Sequence, residues 1–277
     1  MYNICVIQPA GYIHFHAFDE VVDLIKYSMT ELGMACSVTA NEVLQDSINI
    51  IVGSHLIPAT ETVHFPASSI ILNTEPLFSQ QNMGWSERVV DFASVHKVWD
   101  YNARNIENLK ARGIVNAQLM QIGYQSELER VQKSPQQDID VMFYGSYNER
   151  RQAILAQLRE RGLNVASLFG VYGEERDAFV SRAKVVLNMH YYDQHVFEIV
   201  RVFYLLTNSK VVVAEVGVNT SVEERFRAGL ECVPYDGLVD ACEWLTNDPV
   251  AREKLEFKAL RTIKAWPQTE FMRQLIG

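Results

Sequence analysis

The chain has few cysteines. Cys5, Cys36, Cys232 and Cys242 are the four among 277 residues, and none stands in a CxxC or other zinc-ligand spacing. Reduced thiols and a cytoplasmic protein are therefore expected. No apolar run approaches the roughly 18 residues of a membrane-spanning helix, and the opening MYNICVIQPA has no basic stretch leading into a long apolar one. Any membrane contact is thus expected to be peripheral. Basic residues never run beyond two in a row, and the formal net charge is −9 with a pI near 5.3. That balance argues against a nucleic-acid partner gripped by its phosphates. Several motifs are missing too: no GKS or GKT follows a glycine turn, and there is no GxGxxG, no GxSxG elbow and no DxD in a loop after a strand. Walker-type phosphate binding and Ser-His-Asp hydrolysis lose their usual signatures. The one DID, Asp138 to Asp140, precedes a strand and reads as structural.

Apolar bulk is present: 48% of the residues are hydrophobic, enough for two domains or one large one. Short apolar strands alternate with helices, which predicts a parallel sheet. Strands are expected at Tyr2–Gln8, Cys36–Thr39, Ile48–Val52, Ser69–Asn73, HKVWDY (His96–Tyr101) and AQLMQIGY (Ala117–Tyr124). Helices are expected at Ala17–Leu32 with Gly33 as its stop, near Trp85–Ala93, and in ARNIENLKARG before Gly113. The polar stretch Gln125–Asp138, which carries Pro135, reads as a linker. The alternation then restarts with IDVMFYG, a helix at Asn148–Arg161, NVASLF, a helix at Glu174–Ala183, KVVLNM, a helix at Val196–Thr207, and KVVVAE. Two such blocks imply an α/β protein of two Rossmann-like domains, 1–130 and 138–277, with a ligand in the cleft between them. Beyond Glu215 helices are expected at Leu238–Asn247 and Pro249–Trp266, the second opened by Asp248 as N-cap and ended by Pro267.

The richest chemistry lies between Lys184 and Glu215. Asn188, His190, Tyr191 and Tyr192 stand where KVVLNM runs into the loop HYYDQH, and Glu198 and Arg201 share a helix face one turn apart. In open α/β sheets ligands bind outside the carboxyl ends of strands, against helix N-termini that favour anions. The plain alternative is an i,i+3 ion pair beside a packed loop; the gathering of all these groups at one strand end favours a ligand site. In FYGSYNERR, Gly145 and Ser146 let the backbone approach a ligand, and Arg150 or Arg151 on the next helix suits a phosphate, with a simple turn as the alternative. LFGVYGEERD brings Phe169, Gly170, Tyr172 and Gly173 to the next strand end, where an aromatic stacks on a base or sugar, or simply ends a turn. In the first half, His14 and His16 flank Phe15 after the first strand; a histidine there takes a proton from an incoming hydroxyl, or caps the next helix. Glu75, in NTEP, is the rival carboxylate base. His55 and His64 fall in a loop and read as surface residues.

Through FYGSYNERR, YGEERD, KVVLNMHYYD and FEIVRVFYLLTNSKVVVAE, over roughly Ile139–Glu215, the chain resembles GT-B glycosyltransferases, in particular short bacterial family 1 or CgeB-like proteins. VWDYNARNIENLKARG followed by QIGY resembles the last strand, helix and strand of a GT-B acceptor domain. The resemblance implies an acceptor domain at 1–130 and a nucleotide-sugar donor domain at 138–277, its last helix crossing back to the first domain. It places Gly145 and Ser146 on the donor diphosphate, Tyr172 and Gly173 at the base, and Asn188 and His190 on the phosphates or donor sugar. Glu198 and Arg201 line the donor pocket, and Glu215 sits at the following strand end. The family's ribose-gripping glutamate falls on Glu198 or, by another alignment, on Tyr204. The family as a rule needs no metal, so no cofactor is expected, and positive side chains with helix termini stabilise the leaving nucleoside diphosphate. The implied partners are a nucleotide sugar and a saccharide or other hydroxyl acceptor. The implied activity is sugar transfer in bacterial surface polysaccharide or glycoconjugate synthesis, with His14, His16 or Glu75 as base. An epimerase or hydrolase of the same fold, and a non-catalytic nucleotide-sugar-binding or scaffold protein, are the alternatives.

Overall fold

A computed structural model describes residues 1–78, 82–192, 196–220 and 222–277. Residues 193–195 of the loop HYYDQH, and Ser79 at the end of TEPLFS, lie outside the described residues. The chain divides into two compact units. The first comprises Met1–Gln125, Gln268–Gly277 and the neighbourhood of Tyr192; the second comprises Ser126–Tyr191 and the described part of His195–Pro267.

Apolar runs such as INIIV and IILN can be buried only from both sides, and both become strands of one parallel sheet. In chain order the first unit contains strand Tyr2–Val6 (β1), helix Asp19–Glu31 (α1), strands Cys36–Ala40 (β2), Ile48–Val52 (β3) and Ile70–Asn73 (β4), helix Met83–Ala93 (α2), strand Lys97–Asp100 (β5), helix Ala103–Lys110 (α3) and strand Ala117–Leu119 (β6). The sheet order is β2-β1-β3-β4-β5-β6. Ile4, Ile50, Ile51, Ile71 and Val98 are wholly buried in it.

Helix α1 begins at Asp19 rather than Ala17, because Ile13–Phe18 first wind into a 3-10 turn. Asp19 and Glu20 then set acidic groups against the helix N-terminus. Gly33, at φ +75°, ends the chain's turn out of this helix. The strand expected over Ala117–Tyr124 stops at Leu119 because its later backbone groups bind a side chain. Gly123 N donates to Gln268 Oε1 at 2.6 Å, and Gln268 Nε2 donates to Gln121 O at 3.0 Å. His55 is not a surface residue: it is buried between Phe18 and Trp85, at ring distances of 5.9 and 4.9 Å, and burial lowers its pKa to about 4. His64 is exposed, as expected.

The second unit repeats the plan: strand Ile139–Tyr144 (β7), helix Glu149–Glu160 (α4), strand Val165–Leu168 (β8), helix Gly173–Arg182 (α5), strand Ala183–Asn188 (β9), helix Ile199–Thr207 (α6), strand Val212–Glu215 (β10), helix Glu224–Arg227 (α7), strand Glu231–Val233 (β11), and helices Leu238–Asn247 (α8) and Pro249–Lys264 (α9). Its sheet runs β11-β10-β9-β7-β8, all parallel. Val141, Phe143, Val185, Leu187 and Val213 pack with Leu155, Leu238 and Cys242 in its core. Asp248 caps α9 as expected, accepting from Ala251 N at 2.9 Å. The short α7 and β11 escape sequence periodicity. The DID acids are bonded at the start of β7: Asp138 pairs with Arg182, and Asp140 with Lys184. The stretch read as a linker is tied to this unit. Arg130 N and Val131 N donate to Asn208 Oδ1 at 2.8 and 2.7 Å, and Lys133 pairs with Glu256 at 2.7 Å. The last helix, Gln268–Ile276 (α10), packs on α1 in the first unit.

One buried acid organises the carboxyl end of the first sheet. Asp100 closes β5 with no exposed surface. Its Oδ2 accepts from Asn73 Nδ2 at 2.7 Å, and its Oδ1 from Asn102 N at 2.8 Å and Asn105 Nδ2 at 3.1 Å. Asn73 and Asn105 also donate to the Glu75 carbonyl at 2.8 and 2.9 Å, so the network fixes the turn that carries Glu75. Burial pushes the Asp100 carboxyl up to about 7, against these donors. A raised folded-state pKa means that this group favours folding most at low pH, and loses that contribution as pH rises from near the ordinary 3.8 through about 7. The variant Asp100→Asn should therefore gain stability relative to the wild type across that interval and run parallel to it above. Urea midpoints of both proteins between about pH 4.5 and 8 measure this difference.

Candidate functional site

The second sheet turns sharply after β7. Gly145 takes φ +135°, and a Cβ placed there would lie 3.1 Å from Arg201 Nη2. Only glycine both adopts that angle and leaves the guanidinium in place. Asn148 then opens α4 as its N-cap, accepting from Arg151 N at 3.0 Å, which puts Arg150 and Arg151 in the first turn.

The two arginines do different things. Arg151 is buried and donates to carbonyls: Nη1 to Ser146 O at 2.9 Å, Nε to His190 O at 3.3 Å, and Nη2 to Met189 O. Its guanidinium lies 5.3 Å from the Phe143 ring and 5.1 Å from that of Tyr191. Arg150 instead grips Glu215 with both terminal nitrogens at 2.6 Å and stacks on Tyr235 at 4.0 Å. The Tyr235 hydroxyl donates back to Arg150 O at 2.7 Å.

Strand β9 delivers Asn188 and His190 to the same end. Asn188 Nδ2 donates to Glu198 Oε2 at 2.9 Å, and His190 Nδ1 lies 3.1 Å from Glu198 Oε1. The other ring nitrogen of His190 is 3.0 Å from Thr220 Oγ1, and its backbone N donates to Glu215 Oε2 at 3.0 Å. Glu198 is the N-cap residue of α6 rather than part of the helix, so its carboxylate turns to Asn188 and His190. The i,i+3 ion pair with Arg201 does not form. Arg201 sits 5.3 Å over the Tyr144 ring beside Gly145, and its Nη1 is buried with no hydrogen-bond partner among the described residues. Asn188 Oδ1 is left in the same state.

Charge explains the local balance. Burial works to raise the Glu198 carboxyl, but the charge and hydrogen bond of His190, with Arg201 and Arg151, hold it below the ordinary carboxylate value. Burial, and then the Arg201 charge, lower Arg151 to about 10, so it stays protonated at neutral pH. Burial opposes the Arg150 charge as well, yet Glu215 outweighs it and raises that pKa. Three guanidinium groups thus meet two carboxylates at one strand end, leaving an excess of positive charge around a buried unpaired donor.

The remaining expected residues are less tightly drawn in. Tyr172 is the N-cap residue of α5 and Gly173 its first residue, both half-buried. Tyr204, the other position aligned with the ribose-gripping glutamate, is buried, donates to Asp177 Oδ2 at 2.6 Å and lies 4.8 Å from the Arg176 guanidinium. In the first unit His14 meets the Tyr12 ring at 5.2 Å. Burial, and then the charge of Glu75, raise the Tyr12 phenol, so Glu75 at the end of β4 acts electrostatically on the residue that meets His14. His16 instead lies 2.8 Å from Asp19 Oδ2 at the start of α1, pairing with that carboxylate rather than capping the helix, whose N-cap residue is Phe18. Sequence reasoning missed Tyr12, Thr220 and Tyr235. The first two follow strands, so the strand-end rule could have found them; Tyr235 follows a strand too short to show a period. Among the described residues no three His, Cys, Asp or Glu side chains are grouped to hold a metal ion.

No family model matches the chain. It is 27% identical over 212 residues to uncharacterized protein L137 of Acanthamoeba polyphaga mimivirus, covering 74% of this chain and 26% of that protein. It is 28% identical over 181 residues to L138 of the same virus, covering 62% and 20%. The chain therefore spans about a quarter and a fifth of the lengths of these relatives. Among solved structures, Anabaena HepE in complex with UDP and glucose matches with a TM-score of 0.62 at 11% identity, covering 99% of this chain and 98% of that one. T4 phage BGT in complex with UDP-glucose matches at 0.61 and 13%, covering 99% and 97%. These likenesses, with the two parallel sheets and their helices, show that the fold is that of GT-B glycosyltransferases.

Proposed function

We propose that this protein is a glycosyltransferase that moves a sugar from a nucleotide-sugar donor to a hydroxyl acceptor, with guanidinium groups rather than a metal neutralising the donor diphosphate. The observation that carries the reading is Arg201: a half-buried cation whose Nη1 is itself buried and unpaired, held against Gly145 where the backbone has no side chain. A diphosphate supplies the acceptor atoms that this donor lacks, and charge-assisted bonds to phosphate are among the strongest available. Asn188 and His190, bonded to Glu198, are assigned to the donor sugar or its phosphates, and Glu198 to the ribose. Ser146, Tyr172, Gly173 and Tyr191 are assigned to the rim of the same pocket, with Tyr172 and Gly173 at the base. The neighbours solved with UDP-glucose, or with UDP and glucose, support this reading and favour a uridine nucleotide.

In the reaction, the acceptor oxygen forms a bond to the anomeric carbon and the bond from that carbon to the diphosphate oxygen breaks. Arg201 and the α4 N-terminus take up the charge that grows on the leaving diphosphate. The acceptor proton passes to a base of the first unit, His14, which meets the Tyr12 ring, or Glu75. The donor is assigned to the second unit and the acceptor to the first. The setting we assign is cytoplasmic synthesis of surface polysaccharide or glycoconjugate.

The donor reading is tested by thermal unfolding with UDP, GDP, CDP, dTDP and CMP and their sugars. A nucleotide held at about 100 times its Kd stabilises the protein by about 2.7 kcal/mol. Arg201→Ala should abolish that shift while changing the stability of the free protein by no more than about 1 kcal/mol, since the lost donor was unsatisfied. If no nucleotide shifts the wild type, or if Arg201→Ala shifts as the wild type does, the proposal fails. Arg150→Ala should behave differently. It strands the buried Glu215 carboxylate and should lower the stability of the free protein by about 2–3 kcal/mol, discounted for the partial exposure of Arg150. Adding Glu215→Leu should recover most of that loss in urea unfolding.

A further inference from the structure

Helix α9 buries one face and turns another to solvent. Leu255, Ala259 and Ile263 point inward, where the helix packs on α6 and α8. At 3.6 residues per turn the opposite face collects Val250, Lys254, Phe257, Arg261 and Lys264, with Lys258 on its shoulder. Phe257 is 67% exposed and Val250 59%. The four basic side chains are exposed as well. Lys264 reaches Glu129 at 2.6 Å, whereas Lys254 and Lys258 act at longer range on Asp248 and Glu231. Glu253 is the acid at the edge of this face. A tryptophan stands at each end: Asp248 N, at the N-cap of α9, donates to Trp244 O at 3.0 Å, and Trp266, 5.4 Å from the Arg225 guanidinium, follows the last turn, both partly exposed.

This combination is unusual for the chain that bears it. A protein of net charge −9 is repelled by an anionic surface, yet one face of about 21 Å concentrates its cations around an outward phenylalanine. Cations alone would suit any polyanion. An exposed phenylalanine and valine between them, with tryptophans at the ends, suit the headgroup boundary of a bilayer, where apolar tips enter and ammonium groups stay at phosphate level. The phenylalanine and valine offer no hydrogen bond to a base edge. No helix among the described residues is long and apolar enough to cross a membrane, so such a contact would lie on the surface.

We infer that the exposed face of α9 docks the protein on an anionic lipid bilayer, with Phe257 and Val250 in the headgroup boundary and Lys254, Lys258, Arg261 and Lys264 on the lipid phosphates. The test is co-sedimentation of the full chain with phosphatidylcholine vesicles, with and without about one third phosphatidylserine, at low salt and at about 0.5 M salt. Binding should require phosphatidylserine and vanish at high salt. The triple change Lys254→Glu, Lys258→Glu and Arg261→Glu should abolish it, since each lost cation alone weakens binding roughly fivefold. Phe257→Ala should weaken it several-fold without changing its salt dependence. All these side chains are exposed, so both variants should unfold at the wild-type temperature and keep the wild-type response to nucleotides, which separates this result from that of the donor site. Failure to bind phosphatidylserine vesicles overturns the inference, as does binding that survives the triple change. Retention of a DNA duplex in place of vesicles, lost in the triple variant, would assign the face to nucleic acid instead.

Discussion

A guanidinium buried without a carboxylate partner holds the second sheet's strand-end loops in place. Arg151 is drawn inside by three carbonyl oxygens, those of Ser146, Met189 and His190, and by the rings of Phe143 and Tyr191. Burying a charge in this way is expensive unless every donor finds an acceptor. Its donors reach both the turn after β7 and the loop after β9, so the two loops that carry Gly145 and His190 share one anchor. The charge also works at a distance. Arg151 and Arg201 both lower the Glu198 carboxyl, while Arg201 lowers Arg151. The site therefore tolerates a crowd of like charges, which an incoming anion would relieve.

The two units secure their strand ends by different chemistry. In the first, one acid, Asp100, sits among asparagines, and the amides pass their remaining donors to the Glu75 carbonyl. In the second, full charges face each other, with Arg150 on Glu215 and His190 beside Glu198. Amide networks hold a backbone turn with little local field. Ion-pair networks hold it while projecting one, because an excess guanidinium in a low dielectric is felt strongly. On the proposed function, the first arrangement would position a neutral hydroxyl acceptor and the second would hold a diphosphate.

Much of this was legible in the sequence. The strands Ile48–Val52 and Ile139–Tyr144, the Asn148 and Asp248 caps and the Gly33 stop all follow from local rules about burial, capping and left-handed backbone. Strand-end placement of Gly145, Asn188, His190 and Glu215 was equally readable, because it depends only on where apolar runs stop. Partner choice was not. Glu198 and Arg201 have the spacing of an ion pair, but the helix begins one residue later, at Ile199, and the carboxylate goes to Asn188 and His190. Gln268, on the last helix, takes the backbone groups that would have prolonged β6, a contact between residues 145 positions apart that no local window contains. His55 looked like a loop residue for the same reason: its burial comes from Phe18 and Trp85.

The carboxylates in the cluster bear on how a donor would be neutralised. Glu215 is bound at both oxygens by Arg150 and again by the His190 amide, and Glu198 is bound at both oxygens by Asn188 and His190. To serve as ligands for a divalent cation, these groups would have to abandon charge-assisted bonds already made at 2.6–3.1 Å. Arg201 needs to abandon nothing at Nη1. That nitrogen is already buried, already placed beside a residue without a side chain, and lacks only an acceptor. Its burial cost has been met in folding, so an anion that arrives meets a preorganised donor rather than a solvated one. The pairing of the carboxylates and the orphaning of Arg201 are thus one arrangement: closing the other charges on each other is what leaves this one open.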